Sequence, residues 1–163
     1  SFEKGEGTWI CGEECLNDIS GIAIQKDMVL IECAVQELSS LISQAQLLGI
    51  EVCSVIEETE RAAVVIKRDA STKLKLVFAE KIRNSEQVSL LTVVGSRTQD
   101  IVVSSHGLLS EGEVDVQHHL LQQQSLTLVV SPDQVDTAAN ILHTAYIVAR
   151  ETQGYLKKEV HFS

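Results

Sequence analysis

The sequence predicts an α+β fold built from a small unit that occurs twice along the chain. Each copy contains an apolar strand-like run, an amphipathic helix, two further strand-like runs and a second helix. The first copy spans residues 22–79 and the second spans residues 88–146. Each copy is too small for a typical enzyme domain, and neither carries a recognisable catalytic motif. A repeated unit of this kind indicates binding, regulation or assembly.

Composition and charge exclude several classes of function. The chain has 163 residues, of which 44% are hydrophobic, enough for one compact domain or two small ones that share a core. Its formal net charge of −10 disfavours binding to nucleic acids or to anionic membranes. No apolar run reaches the roughly 18 residues of a membrane span. Residues 1–14 lack the features of a signal peptide. Because a core this apolar needs no disulfides, we expect a reducing, cytoplasmic setting.

Apolar periodicity predicts the elements of the first copy in order. Lys26-Asp27 is turn-like, so the runs on either side of it form a hairpin or one interrupted strand. Gly49 follows the clearest helix at the position where a left-handed residue commonly ends helices. Asp69 or Ser71 is expected to cap the next helix. The predicted strands are 19–24, 28–33, 50–56 and 62–66, and the predicted helices are 34–48, with Leu38, Leu41, Ile42, Ala45 and Leu48 inward, and 69–79, with Leu74, Val77 and Phe78 inward.

The second copy repeats this order with different helix signals. Its first helix is expected to be weak, because it contains three β-branched residues and Gly107. Its last helix is expected to have Ser131 as N-cap and Pro132 at the first helical position, and to run to about Arg150. The predicted strands are 88–94, 114–121 and 126–130, and the predicted helices are 101–109 and 132–150, the latter with Val135, Ala138, Ala139, Leu142, Ala145 and Tyr146 inward.

Cysteine and histidine residues are the candidates for chemistry. Cys11 and Cys15 have the spacing of half a metal site but lack a second pair of ligands. His118 and His119 are adjacent, so on a strand they point to opposite faces and do not ligate one ion together. His143 has no serine or cysteine nucleophile spaced near it. The sequence therefore predicts no catalytic residue and no metal site, with a metal protein or a histidine pH sensor as the less favoured alternatives.

Four segments carry a resemblance to a known family. The run VDVQHHLLQQQSLTLVVSPDQVDTAANILHTAY, residues 114–146, resembles the last ACT module of aspartate kinases. Val88–Gly95 looks like the first strand of that module, and Ile19–Ala23 looks like the strand that opens the regulatory region. Gly7–Ile10 resembles the close of the kinase domain. The residues that match the helix pattern of the family are Asp133, Asp136, Ala138 or Ala139, Leu142, His143 and Tyr146.

The resemblance implies a fold and a domain organisation. The fold is two ferredoxin-like βαββαβ ACT modules packed side by side and interleaved through the N-terminal strand. The implied organisation is a lead-in at 1–18 from a missing catalytic domain, a first ACT module at 19–87, a second ACT module at 88–150 completed by the strand near 19–24, and a C-terminal tail at 151–163.

The resemblance also implies an activity for the parent protein. An aspartate kinase transfers phosphate from ATP to the side-chain carboxylate of aspartate in lysine, threonine and methionine biosynthesis. ATP and magnesium are expected only in the missing catalytic domain, and this fragment itself is expected to be neither an enzyme nor a cofactor carrier. Its expected partners are an amino acid, lysine or threonine, its own kinase domain, and a second copy that forms a homodimer through the ACT sheets.

The family's effector pocket lies at two places in each module: the turn from the first strand into the first helix, and the second strand with its hairpin. Cys53 and Gln117 stand where lysine-binding members often carry Asp, so neither faces a lysine ammonium with a charge. The turn before Gln36 is also several residues shorter than in the family. A ligand-free structural dimerisation module is therefore the alternative function. The implied effector residues are Gln36, Glu37, Leu38, Glu51, Val52, Cys53 and Glu57 in the first module, and Ser96, Arg97, Asp100, Asp115, Val116, Gln117 and Leu121 in the second.

Overall fold

The computed structural model describes residues 19–148 of the chain. The predicted lead-in at 1–18, with Cys11 and Cys15, and the predicted tail at 151–163 lie outside the described residues. Within them, the strands are β1 Ile19–Ala34, β2 Ser54–Glu57, β3 Arg61–Lys67, β4 Ile82–Gly95, β5 Val116–Gln122 and β6 Ser125–Val130. The α-helices are α1 Leu38–Leu47, α2 Arg68–Phe78, α3 Val102–Glu111 and α4 Val135–His143.

The chain divides into two compact units with the same strand order. Of the described residues, the central unit is Gln25–Leu90, and the composite unit combines residues 19–24 with residues 91–148. In the central unit the strands lie in the order β2-β3-β1-β4, with antiparallel pairing of β1 with β3 and of β2 with β3. In the composite unit the order is β5-β6-β4-β1, with β5 antiparallel to β6. Both orders are those of a ferredoxin-like βαββαβ unit, which confirms the predicted fold class.

β1 is one continuous strand, so the hairpin alternative is wrong. Asp27 has a φ of 60°, which places the turn-like dipeptide as a local irregularity inside the strand. The strand passes from the composite unit to the central unit between Ile24 and Gln25. In the composite unit the Ser20 hydroxyl donates a hydrogen bond of 3.2 Å to the carbonyl of Val94. The N-terminal strand therefore completes the unit formed by the second repeat, as the resemblance implies.

Two strand boundaries differ from the prediction. β4 begins at Ile82, six residues before the predicted start at Val88, because its first part is polar and gives no apolar signal. β2 begins at Ser54, although the apolar run begins at Ile50. The Ile50 amide instead donates a 2.8 Å hydrogen bond to the Ala45 carbonyl, so this residue belongs to the end of α1.

The starts of α1 and α2 also need correction. A 3₁₀ turn, Val35–Glu37, replaces the first predicted turn of the helix that begins at Leu38. Neither Asp69 nor Ser71 caps α2, since Lys67 is its N-cap residue. The Ser71 hydroxyl donates instead to the Arg68 carbonyl at 2.8 Å within the helix.

The last helix begins later than the sequence predicts. Ser131 and Pro132 belong to a turn, in which the Gln134 amide donates to the Ser131 carbonyl at 3.0 Å, and α4 begins at Val135. The Gln134 side chain also accepts a 3.1 Å hydrogen bond from the Asp115 amide and donates a 3.0 Å bond to the Glu113 carbonyl. After His143 the backbone continues as a π-helix over Thr144–Val148.

Each unit has its own apolar core on the helix-bearing face of its strands. Most predicted inward positions are buried; Ile42, Leu48, Ala139 and Ala145 are partly buried, and Val77, at 50% exposure, was wrongly placed inward. In the central unit the core is Val29, Ile31, Cys33, Leu38, Leu41, Ala45, Ile50, Ala62, Val64, Ile66, Leu74 and Phe78. In the composite unit it is Ile19, Leu91, Val93, Ile101, Leu109, Val114, Leu126, Leu128, Val130, Val135, Ala138, Leu142 and Tyr146.

The helices α1 and α3 end in the same hydrogen-bonded motif. Its backbone geometry is equivalent in the two helices, at positions 64 residues apart. In α1 the amides of Gly49 and Ile50 donate to the carbonyls of Gln46 and Ala45. In α3 the amides of Glu113 and Val114 donate to the equivalent carbonyls of Ser110 and Leu109. This is the Schellman arrangement, which requires a left-handed residue. Gly49 has a φ of 73° and Glu113 a φ of 63°.

The two left-handed residues, Gly49 and Glu113, are predicted to differ in how much their substitution by alanine destabilises the fold. Gly49→Ala is expected to lower the free energy of unfolding by about 1 kcal/mol, because a side chain is strained at positive φ. Glu113→Ala is the matched control and is expected to change it by less than about 0.5 kcal/mol, since that position already carries a side chain. Urea denaturation of both variants measures the two effects, and equal losses would contradict the prediction.

Candidate functional site

The predicted turn of the central unit lies where β1 runs directly into the 3₁₀ turn before α1. Gln36 is exposed, whereas Leu38 is buried in the core. The Glu37 carboxylate forms an ion pair of 3.2 Å with the Lys81 ammonium. Of this group, Gln36 and Glu37 are accessible to a ligand, and Leu38 has a structural role.

The second predicted segment of the central unit leads into β2. Glu51 is exposed, and Val52 and Cys53 are half-buried. The Cys53 amide donates a 2.8 Å hydrogen bond to the Val65 carbonyl, which fixes this segment against β3. Burial, and then the Glu51 carboxylate, raise the pKa of the Cys53 thiol. The thiol is therefore neutral near neutral pH and offers no charge to a ligand.

Only part of the predicted set in the central unit lies close to the turn. Glu57 pairs with Ala62 of β3. The residue before Ala62, Arg61, pairs with Ala34 at the end of β1. Glu57 therefore lies at the same end of the strands as the turn. Cys53 is four residues earlier along the chain, about 13 Å away at the rise of a strand.

The predicted turn of the composite unit is held by an internal ion pair. The Arg97 Nε donates to the Asp100 Oδ2 at 2.8 Å, and both side chains remain partly exposed. Ser96 is exposed. Between them Thr98 is fully buried, and its hydroxyl has no hydrogen-bond partner within residues 19–148.

The same end of each unit is closed in an equivalent way. In the composite unit the Gly95 amide donates a 3.0 Å bond to the Gln124 carbonyl in the β5–β6 turn. In the central unit the Val35 amide donates a 3.1 Å bond to the Glu60 carbonyl in the β2–β3 turn. Each bond ties the strand-to-helix turn to the neighbouring hairpin, so Glu57 and Leu121, which lie next to these hairpins, are at the same end of the strands as the turns.

The β5 segment of the composite unit contains an irregularity at a predicted effector position. Val116 pairs with Val130 and His118 with Val129, so Gln117 is the extra residue of a β-bulge. Asp115 is exposed, with its amide bonded to Gln134, and Leu121 is 45% exposed. The bulge lies four residues before Leu121, so it is about 13 Å from the end of β5 that meets the turn.

Two surface pockets of the central unit have no predicted effector residue in their lining, although Lys81 of the second is paired with Glu37. No group of three or more potential metal ligands occurs within residues 19–148. No helix in this part of the chain is long and apolar enough to cross a membrane. The first pocket, of about 350 Å³, is lined by Gln25, Lys26, Asp27, Met28, Lys67, Arg68 and Asp69. The second, of about 450 Å³, is lined by Ser40, Gln44, Leu76, Val77, Phe78, Ala79, Glu80 and Lys81.

A pair of histidines, which sequence reasoning missed, joins α3 to β5. The Nε2 of His106 lies 3.1 Å from the Nδ1 of His119. The rings meet edge to face, with centroids 4.8 Å apart. His118 pairs with Val129 and His119 with Leu128, which confirms that these neighbours face opposite sides of the strand. His143 is exposed. The 13-residue separation of His106 and His119 gave no signal, because only the fold brings α3 against β5.

The histidine pair predicts a pH dependence of stability. Burial, and then the neighbouring His119, lower the pKa of His106. The unfolded state therefore binds more protons near pH 6, and stability falls as the pH drops through the unfolded value of about 6.5. We expect the free energy of unfolding to fall less between about pH 8 and pH 5 in His106→Gln than in the unsubstituted chain. Urea titrations at both pH values measure this, with His143→Gln as the exposed control; equal losses in all three would refute it.

Comparisons with known proteins bear on the fold. No family model matches the sequence, and no curated protein matches it. Among solved structures, the regulatory subunit of aspartate kinase from Thermus thermophilus superposes with a TM-score of 0.69 at 13% identity, covering 79% of this chain and 99% of that one. The fold of this chain is that of aspartate kinase regulatory domains.

Two further structures extend this likeness. An aspartokinase α and β subunit structure matches with a TM-score of 0.69 at 16% identity, over 78% of this chain and 98% of that one. Escherichia coli aspartokinase III in complex with lysine and aspartate matches with a TM-score of 0.64 at 12% identity, over 79% of this chain and 33% of that one. The resemblance inferred from the sequence is thus confirmed as a likeness of fold to aspartate kinase regulatory domains.

Proposed function

We propose that this chain is an allosteric regulatory region of an aspartate kinase and that it senses an amino acid. The observation that carries the proposal is a fold match that covers 98% of an aspartokinase subunit chain and 99% of a regulatory subunit of aspartate kinase. A fold that covers a whole regulatory subunit supports a regulatory role more than a catalytic one. In the parent protein, a catalytic domain would transfer phosphate from ATP with magnesium to aspartate.

The proposed contact site in the composite unit is the strand-to-helix turn with Ser96, Arg97 and Asp100. The guanidinium of Arg97 and the carboxylate of Asp100 lie 2.8 Å apart and are partly exposed. A zwitterionic amino acid matches this pair charge for charge, since its carboxylate pairs with a guanidinium and its ammonium with a carboxylate. Leu121, at the end of β5 that meets the turn, would then contact the side chain of the effector, whereas Asp115, Val116 and Gln117 lie four to six residues earlier, about 13–20 Å away at the rise of a strand.

The equivalent contact site in the central unit uses Gln36 and Glu37 in the turn with Glu57 at the near end of β2, and Glu51, Val52 and Cys53 precede it along the chain, with Cys53 about 13 Å away at the rise of a strand. The raised pKa of Cys53 keeps its thiol neutral, and Gln117 at the equivalent place in the composite unit is uncharged. The Cys53 thiol and the Gln117 amide themselves supply no charge to pair with an ammonium, whose burial is costly without one. We therefore propose an effector with a neutral side chain, such as threonine, in preference to lysine.

A thermal-shift screen of the chain against the twenty amino acids tests this function. The expected result is stabilisation by one amino acid, by about 2.7 kcal/mol at a concentration of about 100 times its dissociation constant. We expect the same shift to be absent in an Arg97→Gln, Asp100→Asn double variant and retained in His143→Gln, which is exposed and distant in the sequence. A flat response to every amino acid would refute effector sensing by this chain.

The second candidate is a ligand-free module that dimerises through the edges of the strands. β2 and β5 are the outer strands of their units, and Val55 and Leu121 are 37% and 45% exposed there. An exposed strand edge is a template for pairing with another chain. Sedimentation equilibrium distinguishes this candidate: it predicts a stable dimer whose mass and melting temperature do not respond to amino acids, and a monomer at micromolar concentration would exclude it.

A further inference from the structure

We propose that His106 and His119 form a binding site for a divalent transition-metal ion such as Zn²⁺. The site lies between α3 and β5 of the composite unit, on the strand that also carries the proposed effector residues Gln117 and Leu121. Imidazole nitrogens are the ligands that suit zinc, copper and nickel. The two nitrogens that face each other are the Nε2 of His106 and the Nδ1 of His119.

The spacing of these nitrogens suits one shared ion. They lie 3.1 Å apart. A zinc ion bound to two imidazoles at about 2.0–2.1 Å in tetrahedral geometry separates their nitrogens by about 3.3 Å, and a right-angled arrangement separates them by about 2.9 Å. The observed distance lies between these values. At this nitrogen separation, rotations about the side-chain bonds turn both lone pairs away from the line that joins the nitrogens and toward a common ion.

The site needs no change in net protonation. Without a metal, one ring donates its N–H to the other ring across the 3.1 Å contact. Metal binding requires both facing nitrogens to carry lone pairs, so His106 takes the Nδ1–H tautomer and His119 the Nε2–H tautomer. The proton of the former hydrogen bond moves through solvent to the outer nitrogen of the same ring. Two neutral imidazoles remain, as metal ligation requires.

The remaining coordination positions belong to water. His119 is exposed and His106 half-buried, so the ion reaches both rings from solvent. A catalytic zinc site with an open position keeps three protein ligands. A site with two ligands is therefore expected to bind reversibly and to act by cross-linking α3 to β5 rather than by catalysis.

Isothermal titration calorimetry with zinc chloride tests the site on the full chain. The parent for the series carries Cys11→Ser and Cys15→Ser, which removes the thiol pair that could hold zinc independently. We expect one zinc ion per chain in this parent. His106→Gln and His119→Gln are each expected to weaken the affinity at least about tenfold, since even outer-shell changes cost 10–100-fold.

His118→Gln is the matched control, because its side chain faces the opposite side of β5. It is expected to bind zinc as the parent does and to show the same zinc-dependent rise in melting temperature. No zinc uptake by the parent, or undiminished affinity in His106→Gln and His119→Gln, would overturn the proposal. Circular dichroism checks the fold of each variant, and since either substitution alone removes the chelate, one folded variant is sufficient.

Discussion

Leu128→Ala is expected to lower the free energy of unfolding by about 2–5 kcal/mol, the usual cost of truncating a buried leucine. Leu128 is completely buried in the middle of β6 and belongs to the core of the composite unit. The loss combines the transfer of apolar surface with the cavity that remains. Because small domains are stable by only about 5–15 kcal/mol, this substitution removes a large fraction of the total.

Leu121→Ala is the matched control for this prediction. Leu121 lies on the adjacent strand β5 and faces the same side, since it pairs with Leu126, but it is 45% exposed. Its truncation is expected to cost less than about 1 kcal/mol. Urea denaturation followed by circular dichroism measures both variants. A similar cost for the two leucines would mean that β6 is not the buried strand of this unit.

The sequence predicted the repeat and the order of elements because apolar periodicity reports burial directly. It predicted strand ends poorly where burial and hydrogen bonding diverge. The start of β4, from Ile82 to Gln87, is part of the strand although Ile82 is its one apolar side chain. Conversely, the apolar Ile50 ends a helix instead of beginning a strand, because its amide bonds to the Ala45 carbonyl. Neither feature is visible in hydropathy alone.

The candidate site was predictable only as far as its local segments. The turn residue Asp100 and the segment that begins at Asp115 were assigned by resemblance. The ion pair of Asp100 with Arg97 is local, with the two residues three positions apart. The hydrogen bond from the Asp115 amide to the Gln134 side chain and the contact of His106 with His119 both depend on how elements distant in the sequence pack. Contacts of this kind have no signature in sequence spacing, so no reading of the residues alone could locate them.

The phenol of Tyr146 provides the second large effect, in a buried polar network between α3 and the π-helix. Its hydroxyl lies 2.7 Å from the Ser104 Oγ and 2.8 Å from the Ser105 Oγ, and Ser105 is completely buried. Tyr146→Phe keeps the ring in the core but leaves the Ser105 hydroxyl without this partner. The expected cost is about 1–3 kcal/mol, the penalty of an unsatisfied buried polar group.

A double-mutant cycle with Ser105→Ala separates this penalty from lost packing. Removing both hydroxyls eliminates the unpaired group, so the double variant is expected to lose less stability than the sum of the single variants, by about 0.5–3 kcal/mol. Ser104→Ala is the comparison, because Ser104 is exposed and also bonds the Ile101 carbonyl at 3.3 Å. Its coupling to Tyr146→Phe is expected to be smaller, since water replaces the lost partner. Additive losses for Ser105 and Tyr146 would show that the hydroxyl pair contributes no specific stabilisation, and that the ring alone holds the last helical segment against α3.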